Sequence, residues 1–226
     1  QTAPYFRAPH ILIATAARFM PGRKVLLDAD AKRLNVDAKY YNDCSDTVLM
    51  TSRGGTRYDR TFMDSLIRPG LGLENWVSRT NYPALGIVPT SKSEMSLYLN
   101  RNYGQPTACL QRFTLRTDGL VSVHAGYSVG ELVTRPFKIP EAACELVLNM
   151  ATSAAGSVKV ELLDKEGAIS GYDLKSADEL IGDQIEKRVT WGGRSTISGL
   201  AGRQLRVKMK LKDADVYSMQ FRPQRR

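Results

Sequence analysis

The chain is short of the residues that most often organise chemistry. Its 226 residues include only three cysteines and two histidines. Cys44, Cys109 and Cys144 are odd in number, widely spaced and free of any Cys-x-x-Cys pair, so neither a disulfide framework nor a zinc site is indicated, and buried free thiols are expected. No Gly-rich phosphate loop or dinucleotide fingerprint occurs, which leaves nucleotide cofactors without a basis. No apolar run approaches the ~20 residues of a helical membrane span. No run of five or six basic residues and no RNA-type aromatic motif appears, so specific nucleic-acid binding is not expected. No leader stands at Gln1, and the compartment stays open between periplasmic or secreted and cytoplasmic. The pattern points to no metal and no cofactor, although a carboxylate-lined channel could hold Ca²⁺ through oxygen ligands.

What is present is an ordinary globular composition, 42% hydrophobic and 24% charged, of a length that suits one large or two small domains. The net charge of +9 is uneven: residues 1–116 hold 16 basic and 9 acidic groups, the remainder 16 and 14. Basicity of this kind steers anionic partners.

Period-two alternation is the dominant pattern and helical periodicity is scarce, which marks half-buried strands. In 205–211, Leu205, Val207, Met209 and Leu211 point one way while Arg206, Lys208 and Lys210 point the other. Similar alternation runs through 144–150 and 157–162. Asp118-Gly119, Ala155-Gly156, Glu166-Gly167, Gly192-Gly193 and Ala201-Gly202 read as the turns between such runs. The spacing predicts seven or eight strands between about 110 and 222, forming an antiparallel sandwich closed by VYSMQF (216–221). One helical turn is expected within 173–186. The first half offers HILIAT (10–15), TVLMTS (47–52), LGIVP (85–89) and EMSLYL (94–99), with a long polar excursion over 21–46. The fold class is all-β.

Several stretches carry functional residue types. TSRGGTRYDRTF (51–62) resembles the S-x-D-x-G-x-[WF] hairpin turn of sialidase-like propellers, on the strength of Ser52, Gly55 and Tyr58, with Gly54 where that family has Asp; its role there is to brace a turn. In EMSLYL, Glu94, Ser96 and Tyr98 share a polar face opposite Met95, Leu97 and Leu99. A carboxylate so placed suits a general acid, with Asp46 as its partner, and equally a solvated sheet face. YFRAPH brings Arg7 and His10 to the mouth of an apolar strand. NWVSRTNYP gathers Trp76, Arg79, Asn81 and Tyr82, which with Tyr98 suit a sugar: an aromatic plate for the pyranose ring and donors for its hydroxyls. Such side chains are also ordinary loop anchors. Gly126-Tyr127-Ser128-Val129-Gly130 matches the nucleophile elbow of serine hydrolases, but ELVTRPF after it reads as a strand where the elbow needs a helix. Trp191 and Tyr217 read as packing residues.

RAPH, DTVLMTSRGG, ENWVSRTNYPALGIVPT, EMSLYL, YGQPTACLQRFTLRTDGLVSV, TSAAGSVKVELLD and LKDADVYSMQF together resemble the C-terminal part of bacterial, planctomycete-like glycoside hydrolases of the invertase, levanase and arabinanase type. The resemblance implies a five-bladed β-propeller joined to a C-terminal β-sandwich. Residues 1–112 would be the last propeller blades and 113–226 the sandwich, with a further N-terminal propeller segment as partner, since roughly 40 to 50 residues make one blade. The W-x-N-D-P motif that carries the nucleophilic Asp in that family is absent here. Two readings result. One is a carbohydrate-active hydrolase that cleaves glycosidic bonds with paired carboxylates, Glu94 and Asp46. The alternative is a non-catalytic glycan-binding or structural β-module. The expected ligand is an oligo- or polysaccharide, acidic or sulfated if the excess of arginine is used.

Overall fold

The computed structural model describes residues 1–223. The chain is all-β, every strand pairing is antiparallel, and it divides into two compact units, Gln1–Thr117 and from Asp118 onward. Among the described residues no helix is long and apolar enough to cross a membrane.

The first unit holds two small sheets. Strands β1 (Thr2–Tyr5), β2 (Ala8–Met20) and β3 (Cys44–Ser52) form a meander. Its free edge on β3 is extended by single bridges from Thr47 to Ile67 and from Thr51 to Asp59. The second sheet is built on β6 (Glu94–Arg101), flanked on one edge by β7 (Cys109–Arg116) and on the other by the two-residue strands β4 (Tyr82–Pro83) and β5 (Val88–Pro89). As the alternation requires, Met95, Leu97 and Leu99 are fully buried. Each such side chain contributes roughly 1.5–3 kcal/mol on leaving water.

The excursion after β2 is not structureless. It carries a helix, α1 (Asp28–Arg33), with Asp28 and Asp30 in its first turn and Lys32 and Arg33 in its last, matching the helix dipole. Six residues are too few to stand as an isolated helix. Packing holds it: Ala31 joins Leu26, Val36 and Val77 in a small buried cluster lined by Tyr40 and Trp76.

The second unit contains β8 (Val123–Ala125), β9 (Gly130–Val133), β10 (Phe137–Lys138), β11 (Glu145–Leu163), β12 (Asp183–Arg188) and β13 (Gln204–Arg222), joined in one six-stranded sheet. The long strands β11 and β13 pair along their length. Strands β10, β9 and β8 line the other edge of β13 in turn, while β12 lines β11. Leu146, Leu148, Met150, Val158, Val160 and Leu162 meet Leu205, Val207, Met209, Leu211 and Val216 in one core. Trp191 is buried among them, donates its indole N–H to the Val160 carbonyl at 2.8 Å and meets Tyr172 edge-on at 5.1 Å.

One local expectation is corrected. Ala155-Gly156 is not a turn between two strands: 145–150 and 157–162 belong to one strand, with a shift of register between Thr152 and Ser157. Gly156 sits there because any Cβ would collide with the Asp213 and Lys212 carbonyls. Over 173–186 the single helical turn forms at its start: the Asp173 carbonyl accepts the Ser176 and Ala177 amides at 3.1 and 2.9 Å, and its side chain accepts the Lys175 and Ser176 amides at 2.9 Å, before β12 begins.

Candidate functional site

Strand register brings several of the nominated residues together. On β6, Glu94, Ser96, Tyr98 and Asn100 lie on one face. Antiparallel partners directly opposite share that face. Arg116 stands across from Glu94, Thr114 from Ser96 and Arg112 from Tyr98, while Tyr82 stands across from Asn100. Tyr82, Tyr98 and Glu94 therefore share one sheet surface, Tyr82 and Tyr98 diagonal to each other at one end and Glu94 further along β6 at the other.

Arg112, which the sequence reading did not single out, organises this surface. Its guanidinium pairs with Glu94 Oε1 and donates through Nε to Ser96 Oγ at 2.9 Å. The Thr90 hydroxyl donates to Glu94 Oε1 at 2.7 Å. Glu94 is thus an acceptor held by two donors at a half-exposed position. Only the β6–β7 pairing reveals this partner.

Asp46 lies elsewhere, on β3 of the other sheet. Both its oxygens are taken by the facing Arg18, from Nε at 2.9 Å and Nη2 at 2.6 Å. The same hydrogen bonding raises the pKa of Arg18. Glu94 and Asp46 are not brought together as a catalytic pair.

Asn81 is not a surface donor. It is fully buried at positive φ, its amide nitrogen donating to the Ser45 and Asn75 carbonyls and its oxygen accepting from Arg101. Arg101, itself buried, also donates to the Pro69 carbonyl and the Asn75 side chain. This knot of Asn75, Asn81 and Arg101 ties the 69–81 loop to β6. Burial lowers the pKa of Arg101. Trp76 is likewise an anchor, half-buried on the small cluster around α1, its indole N–H on the Gly70 carbonyl at 3.0 Å.

Arg79 is exposed and lies over the rings of Tyr40 and Tyr103 at 5.6 and 5.8 Å. Its hydrogen bond to the Tyr103 hydroxyl raises the pKa of Arg79 and lowers that of the phenol. Arg7 occupies the tight turn between β1 and β2, and His10 is exposed three residues further along.

Ser52 braces its hairpin as the motif reading supposed, its hydroxyl donating to the Arg57 carbonyl at 2.7 Å and accepting the Gly54 amide at 3.1 Å. Counted strictly, the S-x-D-x-G-x-[WF] frame falls on Ser52, Gly54, Thr56 and Tyr58, so the serine and the aromatic match while Gly55 does not. After Ser128 comes β9, a strand. His124 pairs instead with Asp215, whose Oδ1 it meets at 3.2 Å and which also accepts the Ser122 hydroxyl at 2.6 Å. Serine and histidine share one carboxylate oxygen, which is not the relay of a nucleophilic triad.

Among the described residues no group of three or more His, Cys, Asp or Glu side chains could hold a metal. No family model, no curated protein and no solved structure matches the chain.

Proposed function

We propose that the first unit is a carbohydrate-binding β-module that receives a saccharide on the outward face of β6. The observation that carries this reading is the sharing of one sheet surface by Tyr82, Tyr98, Asn100, Glu94 and Arg112. Tyrosine rings offer plates for the apolar faces of pyranose rings. Glu94 accepts from sugar hydroxyls, and Arg112 and Asn100 donate to them. The two small antiparallel sheets of this unit are what supports the likeness to the propeller end of an invertase-type hydrolase. The hydrolytic version of the reading, supported by the place of Glu94 on this face, requires a second carboxylate at glycosidase spacing. Asp46, clamped by Arg18 on the other sheet, does not supply it.

Titration calorimetry against a panel of neutral oligosaccharides tests the reading. At least one should bind, and Tyr98→Ala should weaken it about tenfold, the equivalent of ~1.4 kcal/mol, a typical loss for a ring stack. Tyr127→Ala in the second unit should leave binding unchanged. The reading fails if no saccharide binds, or if Tyr82→Ala and Tyr98→Ala both bind as well as the unaltered protein.

A further inference from the structure

The hairpin that follows β3 carries charge in an unusual state. Four arginines, Arg53, Arg57, Arg60 and Arg68, are exposed along it, and among the described residues none forms an ion pair with a carboxylate. Arg60 brings a guanidinium nitrogen to 3.8 Å from the Met63 sulfur. The two acids of the segment are engaged. Asp59 accepts the Thr61 amide at 2.8 Å and the Thr61 hydroxyl at 2.5 Å, which lowers its pKa, and Asp64 lies close enough to Arg18 to favour that guanidinium's charge. The four guanidiniums are unpaired and outnumber the two carboxylates, so residues 51–68 keep a net charge of 4 − 2 = +2.

The backbone beneath them is fixed. Thr51 and Asp59 exchange both amide hydrogen bonds, at 3.1 and 2.7 Å, and Ser52 holds the tip from inside. The return arm is pinned where Arg18 donates to the Met63 carbonyl at 2.7 Å, and the Tyr58 hydroxyl is tied to Thr2 at 2.7 Å. Exposed Tyr58, Phe62 and Met63 lie between the arginines. Guanidinium groups offer planar, bidentate donors that match sulfate and carboxylate oxygens. Apolar surface between them suits the carbon faces of a sugar backbone.

We propose that this hairpin, Arg53 to Asp64 with Arg68 beside it, docks the sulfate or carboxylate groups of an acidic polysaccharide. The inference rests on the glycan reading above and narrows its ligand to an anionic class. The choice of a glycan over a nucleic acid follows from the sugar-type face on the same unit, and nucleic acid is kept as an outcome of the test.

The experiment compares binding of the full chain to dextran sulfate, unsulfated dextran and polyuridylate at about 50 and 200 mM salt, where counterion release is read most easily. The expected result is a preference of at least tenfold for the sulfated chain over dextran. In the R53Q/R57Q/R60Q variant that preference should collapse, with the slope of log affinity on log salt falling by about two units. All three positions are exposed, and an unchanged circular dichroism spectrum shows that the variant folds. R53K/R57K/R60K should keep most of the salt slope while losing affinity, as the loss of bidentate geometry predicts. A preference that survives the glutamine substitutions overturns the proposal. So does polyuridylate bound as tightly as dextran sulfate, which would make the hairpin a nucleic-acid or general polyanion surface. If neutral saccharides bind and sulfation adds nothing, this inference fails while the glycan reading stands; if no saccharide of either kind binds, the glycan reading itself falls.

Discussion

The close approach of β11 to β13 at their shift of register depends on one missing side chain, and Gly156→Ala should show it. Gly156 is not at positive φ, so its backbone conformation is open to alanine. What forbids the methyl group is space. An ideal Cβ would sit 2.8 Å from the Lys212 carbonyl oxygen and closer still to that of Asp213, and all the crowding atoms are backbone. Overpacking usually costs about 1–3 kcal/mol when side chains can give way. Here the paired strand itself must shift, so a loss of about 3 kcal/mol or more is expected. Urea unfolding followed by Trp191 fluorescence, in a Trp76→Phe background that leaves one tryptophan, reads the second unit directly. With a urea dependence of roughly 1–3 kcal/mol per M, the midpoint should fall by at least about 1 M. Gly199→Ala is the control: nothing lies within 4 Å of its added Cβ and its φ is not positive, so it should shift stability by less than about 0.5 kcal/mol. A Gly156→Ala midpoint indistinguishable from that of the unaltered protein would refute the close approach of the two strands.

Two further perturbations probe the two units separately. Arg101→Met removes the donor shared by the Asn75 and Asn81 side chains and the Pro69 carbonyl and strands three buried acceptors, partly offset by relief of a buried charge, for a net loss of about 2–4 kcal/mol; unfolding followed at Trp76 checks it, and unchanged or increased stability would contradict it. Asp173 has a pKa depressed below 3.8, chiefly by the Ser176 amide, with further lowering from the Lys175 amide. Its contribution is therefore whole above the unfolded-state value and is lost as pH falls through the lower folded-state value. The stability gap between the unaltered protein and Asp173→Asn should be constant at neutral pH and shrink below about pH 4; a gap that widens on acidification would reverse the sign.

Alternation made the strands readable because burial of one sheet face imposes a period of two on the sequence, as in 94–99 and 205–211. The same logic misread Ala155-Gly156. A glycine required by close backbone approach looks the same in sequence as one required by a turn, and only the position of Asp213 on the partner strand distinguishes them. Glu94, Tyr98 and Tyr82 could be nominated from residue type, but their common face depends on the pairing of β6 with β4 and β7. Arg112 escaped notice because its partner lies 18 residues away. Residue type makes Asn81 a candidate sugar donor because loop asparagines usually face water, yet Arg101, on a strand 20 residues later, draws it inside. Asp46 likewise becomes a committed ion-pair member only through the register of β2 with β3.

The most direct test of the proposed glycan face is tyrosine-selective NMR during titration with the saccharide that binds most tightly in the neutral panel. Tyr82 and Tyr98 ring resonances should shift in a saturable manner with one common affinity, while Tyr172 and Tyr217 in the second unit stay still. Shifts confined to second-unit tyrosines, or saturable binding that leaves Tyr82 and Tyr98 unmoved, would contradict a saccharide site on β6.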